Sequence, residues 1–216
     1  MKNLIRLLPI LTVAASPVIA DESDHWFVRP YVGVSIMSGL SSDFNDIDSL
    51  SGRADIDLSD GFTGGIGIGY RYSEKIALEF GWEYRSNESS TTLADASEFD
   101  GGNYASNIFY FNGHYLLSPH YRWQPYLGAG LTWVEEVDID LERNGEERSF
   151  SGDGDVGYQL FAGASYRLDQ DWAIQGEVRF GRVSDIDLSP ESGATGDFSG
   201  LDYETSTLQL GVVYNF

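Results

Sequence analysis

Hydrophobic and polar positions alternate with period two through eight separate stretches of this chain. A strand turns successive side chains to opposite faces, so each stretch has one oily face and one more polar face. The clearest covers residues 76–85. There Ile76, Leu78, Phe80, Trp82 and Tyr84 share one face, and Ala77, Glu79, Gly81, Glu83 and Arg85 share the other. A helical period would mix Glu79 and Glu83 into the apolar stripe. Residues 206–216 close the chain in the same manner, with Leu208, Leu210, Val212, Tyr214 and Phe216 opposite Thr207, Gln209, Gly211 and Asn215. The pattern predicts six further strands over residues 26–37, 62–72, 105–117, 125–134, 156–168 and 172–182. The phase of 105–117 is the least sharp, and Phe109, Phe111, Gly113 and Tyr115 make its apolar face.

Eight charged residues fall on the polar faces: Arg29, Arg71, Glu79, Glu83, Arg85, Arg167, Glu177 and Arg179. Unbroken large apolars on one side and ions on the other fit strands that face hydrocarbon outward and a wet or ion-paired lumen inward. The predicted fold class is all-β: an eight-stranded antiparallel up-and-down transmembrane β-barrel. A tilted strand crosses a bilayer in about 9–11 residues, which these stretches match. Glycines such as Gly65, Gly67, Gly69, Gly128 and Gly130 sit mostly on the inward faces, where a narrow barrel needs small residues. Three connections are short (73–75, 118–124 and 169–171), and four are long (39–60, 86–104, 135–155 and 183–203). Aromatics gather near strand ends, as amphipathic rings do at membrane interfaces: Trp26, Tyr70, Tyr72, Trp123, Trp172, Tyr214 and Phe216 at one end, and Trp82, Tyr84 and Trp133 at the other.

The N-terminus adds a location. Lys2 and Arg6 precede a short apolar run, and Val18, Ile19 and Ala20 suit signal peptidase. Residues 1–20 are therefore expected to be a cleaved signal peptide, and residues 21–216 one outer-membrane barrel domain. No apolar run of about 20 residues occurs later, so no transmembrane helix is expected. The absence of cysteine excludes disulfides and thiolate metal sites. Removing residues 1–20 takes away two bases and no acid, leaving 11 bases against 34 acids. Such acidity argues against nucleic acid as a partner.

The opening stretch Trp26-Phe-Val-Arg-Pro-Tyr-Val-Gly, the stretch Gln124-Pro-Tyr-Leu-Gly-Ala-Gly-Leu and the closing Leu210-Gly-Val-Val-Tyr-Asn-Phe216 resemble the small outer-membrane barrels of Gram-negative bacteria, the OmpA-like and opacity-type group. The resemblance covers residues 21–216. It implies the outer membrane as location, short turns and both termini in the periplasm, and long loops at the cell surface. It also implies that Leu210, Val212, Tyr214 and Phe216 form the C-terminal signal read by the barrel assembly machinery. The group includes adhesins, structural proteins, small channels and lipid-modifying enzymes, so the resemblance implies no single activity.

Candidate chemistry is sparse. The inward charges are expected to pair across the lumen, because isolated buried ions are costly. A serine hydrolase on such a barrel would need a histidine beside a serine at the outer rim. His25 and His120 lie toward the short-turn end, and His114 lies late on a strand that runs the same way. No catalytic residue, cofactor or metal site is therefore expected. The four long loops hold 24 of the 34 acids and only Arg53, Arg143 and Arg148 as bases. Runs such as Asp46-Ile-Asp48, Asp55-Ile-Asp57, Asp138-Ile-Asp140-Leu-Glu142 and Asp185-Ile-Asp187 provide oxygen ligands, but none has the spacing of a 12-residue calcium loop. They are expected to give a repelling, soluble surface, or to meet lipopolysaccharide phosphates through divalent cations. The expected function is a non-enzymatic outer-membrane protein that anchors acidic surface loops for envelope structure, adhesion or partner binding. A narrow porin-like channel is the alternative. A soluble carrier barrel would need the inverse polarity.

Overall fold

A computed structural model describes residues 25–47, 50–93, 98–99, 101–143, 146–191 and 194–216. The expected signal peptide, residues 1–20, lies outside the described residues. Among them the chain forms twelve strands and no helix: β1 (Trp26–Met37), β2 (Leu40–Ile47), β3 (Leu50–Leu58), β4 (Gly61–Arg71), β5 (Ile76–Leu93), β6 (Glu98–Phe99), β7 (Asn103–Leu116), β8 (Trp123–Arg143), β9 (Glu146–Gly152), β10 (Val156–Arg167), β11 (Trp172–Pro190) and β12 (Asp197–Asn215).

Eight of these pair antiparallel in a closed ring, in the order β1, β4, β5, β7, β8, β10, β11, β12 and back to β1. The closing pair runs from Phe27 opposite Asn215 to Met37 opposite Thr205. Backbone bonds between Trp26 and Phe216, at 3.3 and 2.9 Å, tie the first strand to the last residue. Burial follows the expected alternation. Val32, Ile68, Phe80, Leu131, Val178 and Leu210 face outward and are exposed, while Glu79, Tyr110, Asn112 and Glu177 face inward and are buried. In 105–117 the outward face is the one carrying Phe111 and Tyr115. Aromatic pairs ring the end that carries the short turns, among them Trp26 with Tyr70, Trp123 with Tyr166 and Trp172 with Tyr214, with centroids 4.7–5.1 Å apart.

The long connections differ from the loops expected of them. They continue the barrel. Above β1 and β4 the hairpin β2–β3 takes over, pairing with β12 on one side and β5 on the other. Above β10, β9 fills the gap between β8 and β11. This extension encloses an apolar core that includes Leu40, Phe44, Ile47, Ile56, Val137, Ile139, Leu141, Phe150, Ile186, Phe198 and Leu201. Its outer surface carries the acids. Ile56 lies between exposed Asp55 and Asp57, and Ile139 lies between Asp138 and Asp140. The acidic runs are thus the wet faces of amphipathic strands. Exposed large hydrophobics stop where the extension begins: among the described residues none falls in 37–61, 83–110, 134–155 or 181–207.

Bulges shift the alternation as strands enter the extension. On β11, Val183 and then Ile186 and Leu188 face inward, with Asp185 in the left-handed region at φ 69° and register shifts on either side of Ile186. On β8 the inward series passes from Val134 to Val137, beside a shift between Asn107 and Ile108 on β7. An extra residue in one strand bends it and moves later side chains to the other face.

Crowding of carboxylates on the extension gives a pH dependence. Partial burial, followed by Glu136, Glu191 and Asp140, pushes the Asp138 carboxyl up to about 6. An unfolded aspartate titrates near about 3.9. A raised value means the group favours the folded state fully below the unfolded value, and that this contribution is lost as pH rises through the folded one. Backbone hydrogen exchange in β8 and β9, corrected for intrinsic rates, is therefore expected to be slower at pH 5 than at pH 7. Asp138→Asn is expected to shrink the difference. Equal protection at both pH values would contradict the assignment.

Candidate functional site

The middle of the lumen is filled by side chains that alternation directs inward from six strands, β1, β5, β7, β8, β11 and β12. Arg29 on β1 meets Glu79 on β5 through two bonds, Nη2 to Oε1 at 2.6 Å and Nε to Oε2 at 3.1 Å. Arg29 Nη1 lies 3.9 Å from Glu177 on β11. Glu177 Oε1 accepts from Arg179 Nη2 at 2.7 Å, and Arg179 Nη1 donates to Glu83 at 2.9 Å. Glu83 in turn accepts from Arg85 Nη2 at 2.7 Å. Charge therefore alternates along one chain: Glu79, Arg29, Glu177, Arg179, Glu83, Arg85. Three carboxylates balance three guanidinium groups. Their side chains are at most 5% exposed.

Each carboxylate also takes a phenol. Tyr110 donates to Glu79 at 2.8 Å, Tyr126 to Glu177 at 2.8 Å and Tyr31 to Glu83 at 2.9 Å. Gln209 adds a bond to Glu177, and Gln175 donates to the Tyr126 hydroxyl. Arg179 lies over the rings of Tyr31, Tyr110 and Phe161 at 5.2–5.8 Å from their centroids. Desolvated ions persist when opposite charge and hydrogen bonds replace the lost water, and this layer supplies both.

Glycines make room for the phenols. Gly65 stands opposite Tyr31 in register, Gly81 opposite Tyr110 and Gly163 opposite Tyr126. A Cβ added at any of the three would overlap the facing ring or its hydroxyl. The tyrosines were not singled out as site residues from the sequence. The signal that identifies them is an inward tyrosine in register with an inward glycine on the neighbouring strand.

Six of the eight inward charges expected to pair do meet here. Arg71 and Arg167 do not. They sit at the short-turn end, where β4 and β10 finish and the ring opens to solvent. Between them and the network lies a small cavity of about 40 Å³ lined by Phe27, Ala77, Leu116, Val213, Glu79 and His114, among others. His114 Nε2 stands 3.4 Å from Glu79 Oε2, and its ring packs on Phe161 at 4.8 Å. Glu79 is also committed to Arg29 and Tyr110. At the opposite end, Arg85 bonds Ser35 and Thr207, and a polar layer gives way to the apolar core of the extension. The C-terminal residues Leu210, Val212 and Phe216 project outward and are exposed, with Tyr214 half-buried between Trp172 and Phe216. Among the described residues no three carboxylate or imidazole groups converge on a point that would hold a metal ion.

A family model described as outer membrane protein beta-barrel domain matches residues 7–216. No curated protein matches the chain. Among solved structures, the outer membrane protein OprG of Pseudomonas aeruginosa aligns with a TM-score of 0.66 at 13% identity, over 89% of this chain and 96% of that one. The outer membrane protein AlkL in lipid bilayers aligns at 0.54 and 18%, over 94% and 95%. Neisserial surface protein A aligns at 0.52 and 15%, over 88% and 97%. At these identities the likeness is one of fold.

Two substitutions test the layer. Glu177→Gln removes the charge that joins Arg29 to Arg179, and breaking a buried pair costs about 3–5 kcal/mol. Urea unfolding in lipid vesicles is expected to show a loss of that order, and a loss near zero would mean the network is solvated. Gly81→Val drives a side chain into Tyr110, and overpacking costs about 1–3 kcal/mol. In a Tyr110→Ala background, where that ring is gone, the same change is expected to cost less in the same assay.

Proposed function

We propose a role for a chain that belongs to the outer membrane protein beta-barrel domain family: it is a non-enzymatic envelope protein whose barrel holds a stiff, acid-coated projection on the cell surface. The short turns and both termini face the periplasm in this reading, and the extension faces outward. One observation carries it. The extension has a packed apolar core beneath carboxylates set on alternate residues, so it is a continuation of the barrel wall and not a set of mobile loops. Burying one side chain such as Ile139 or Phe150 contributes about 1.5–3 kcal/mol, and many such residues share this core.

The projection presents negative charge as a field and not as a chelating cage. Its complement is cationic: basic surfaces on other molecules, or Mg²⁺ and Ca²⁺ held diffusely between these carboxylates and lipopolysaccharide phosphates. Such attraction fades beyond a Debye length of about 8 Å at physiological salt. The outward residues Leu210, Val212, Tyr214 and Phe216 are proposed to be read by the barrel assembly machinery during insertion.

A narrow channel is the second reading. It draws on the polar mouth and the small cavity behind it, which enter the barrel from the short-turn end. Conduction would require the ion-paired layer and the apolar core above it to part together. In planar bilayers the protein is expected to show no steady ohmic current above the lipid baseline. A stable conductance that changes with Arg179→Gln would overturn the anchoring reading in favour of the channel.

A further inference from the structure

A concave vestibule of about 430 Å³ opens at the short-turn end, lined by Arg71, Arg167, Glu74, His120, Gln124 and Asn215, among others. Arg71 donates from Nη2 to the Asn215 side-chain carbonyl at 2.9 Å, and Arg167 donates from Nη2 to the Pro119 carbonyl at 3.3 Å. These partners are neutral. Among the described residues neither arginine forms a salt bridge. Glu74, the carboxylate lining the vestibule, stands 3.6 Å from His120 Nε2 at the rim. The nearby Asp169 is committed to its own turn, accepting from the backbone of Asp171 at 3.0 Å and Trp172 at 2.8 Å. Arg71 and Arg167 line the same hollow.

This arrangement is unexpected in a chain with 34 acids and 13 bases. Every arginine deeper in the lumen has a carboxylate at salt-bridge distance, yet two at the mouth share a hollow whose lining carboxylate, Glu74, stands by His120 instead. Two like charges held together are unfavourable unless an anion lies between them. A guanidinium offers a planar fork of donors, and a pair supplies two positive charges. A phosphoryl group carries about −1.5 to −2 charge at neutral pH and several acceptor oxygens, which a monocarboxylate lacks. Gln124 and Asn215 add uncharged polar groups around the same hollow. Arg71 and Gln124 also line the small cavity behind.

We propose that Arg71 and Arg167 form a binding site for a phosphoryl group at the short-turn mouth of the barrel. Both arginines hold inward positions in their strands, alternating with outward Tyr70, Tyr72 and Tyr166, so the site opens to water and a dissolved phosphate or phosphomonoester reaches it directly. A phospholipid headgroup carries the same chemistry and reaches the mouth only over the rim.

The test uses the mature protein refolded in a sugar-headgroup detergent, which contains no phosphate, with folding checked by heat-dependent gel migration. Titration calorimetry with inorganic phosphate is expected to show saturable binding that weakens at least tenfold in Arg71→Gln and in Arg167→Gln. Lys75→Gln, at the same end but outside the vestibule, is expected to leave binding unchanged. Acetate is expected to bind at least tenfold more weakly than phosphate. Adding phosphatidylglycerol to the micelles separates the sources: unchanged phosphate affinity assigns the site to a solute, and competitive loss assigns it to the headgroup. Absence of binding, binding that survives in the double variant, or equal affinity for acetate would overturn the proposal.

Discussion

Hydrocarbon offers no partner for a free backbone amide, so a sheet inside a bilayer must close on itself. Here the bonds between β1 and β12 complete the ring, and most of the remaining structure follows from that closure. A closed ring of strands leaves each side chain two directions, inward or outward. An eight-stranded ring also leaves an interior that side chains can just fill. Volume then decides composition. A tyrosine pointing inward needs a neighbour without a Cβ, which is what Gly65, Gly81 and Gly163 provide. Charges drawn into so small a space lose their water, and they persist because each glutamate is met by an arginine and a phenol.

Direction stays fixed along each strand while the surroundings change, apart from local bulges. Within the apolar belt, β5 sends Leu78, Phe80 and Trp82 outward and Glu79 and Glu83 inward. Beyond the belt water lies outside the wall, and the preferred chemistry reverses. The same wall then carries Asp55, Asp57 and Glu142 outward and Ile56 and Leu141 inward. The lumen is thus filled twice by opposite means, once by ions matched in number and once by an oily core. The two ends differ as well. Carboxylates dominate the extension, while two arginines at the short-turn mouth form no salt bridge among the described residues.

The eight barrel strands were legible because each carries several turns of unbroken alternation with large apolars on one side. Even the ambiguous stretch at 105–117 settled on the face marked by Phe111 and Tyr115. Six of the inward charges could be recognised as partners from sidedness alone. Arg71 and Arg167 share that sidedness but occupy the last inward step of their strands, and period two carries no information about depth. The extension was hidden for a different reason. Bulges at Asp185 and beside Glu135 reset the phase, and aspartates flanking single isoleucines look like solvated loops when each run is taken alone. Only closure of the ring places Ile56, Ile139 and Ile186 in one core.

The central claim is that a single wall changes its inside and outside chemistry where it leaves the lipid. Because the chain has no cysteine, single thiols report cleanly on each environment. Labelling of Ile68→Cys, Ile56→Cys and Asp57→Cys in bilayers, with a charged reagent and with lipid-borne quenchers, tests it most directly. The expected result is that only Asp57→Cys reacts quickly, only Ile68→Cys is reached from lipid, and Ile56→Cys is shielded from both. An Ile56 thiol that reacts as fast as its aspartate neighbour would contradict the account.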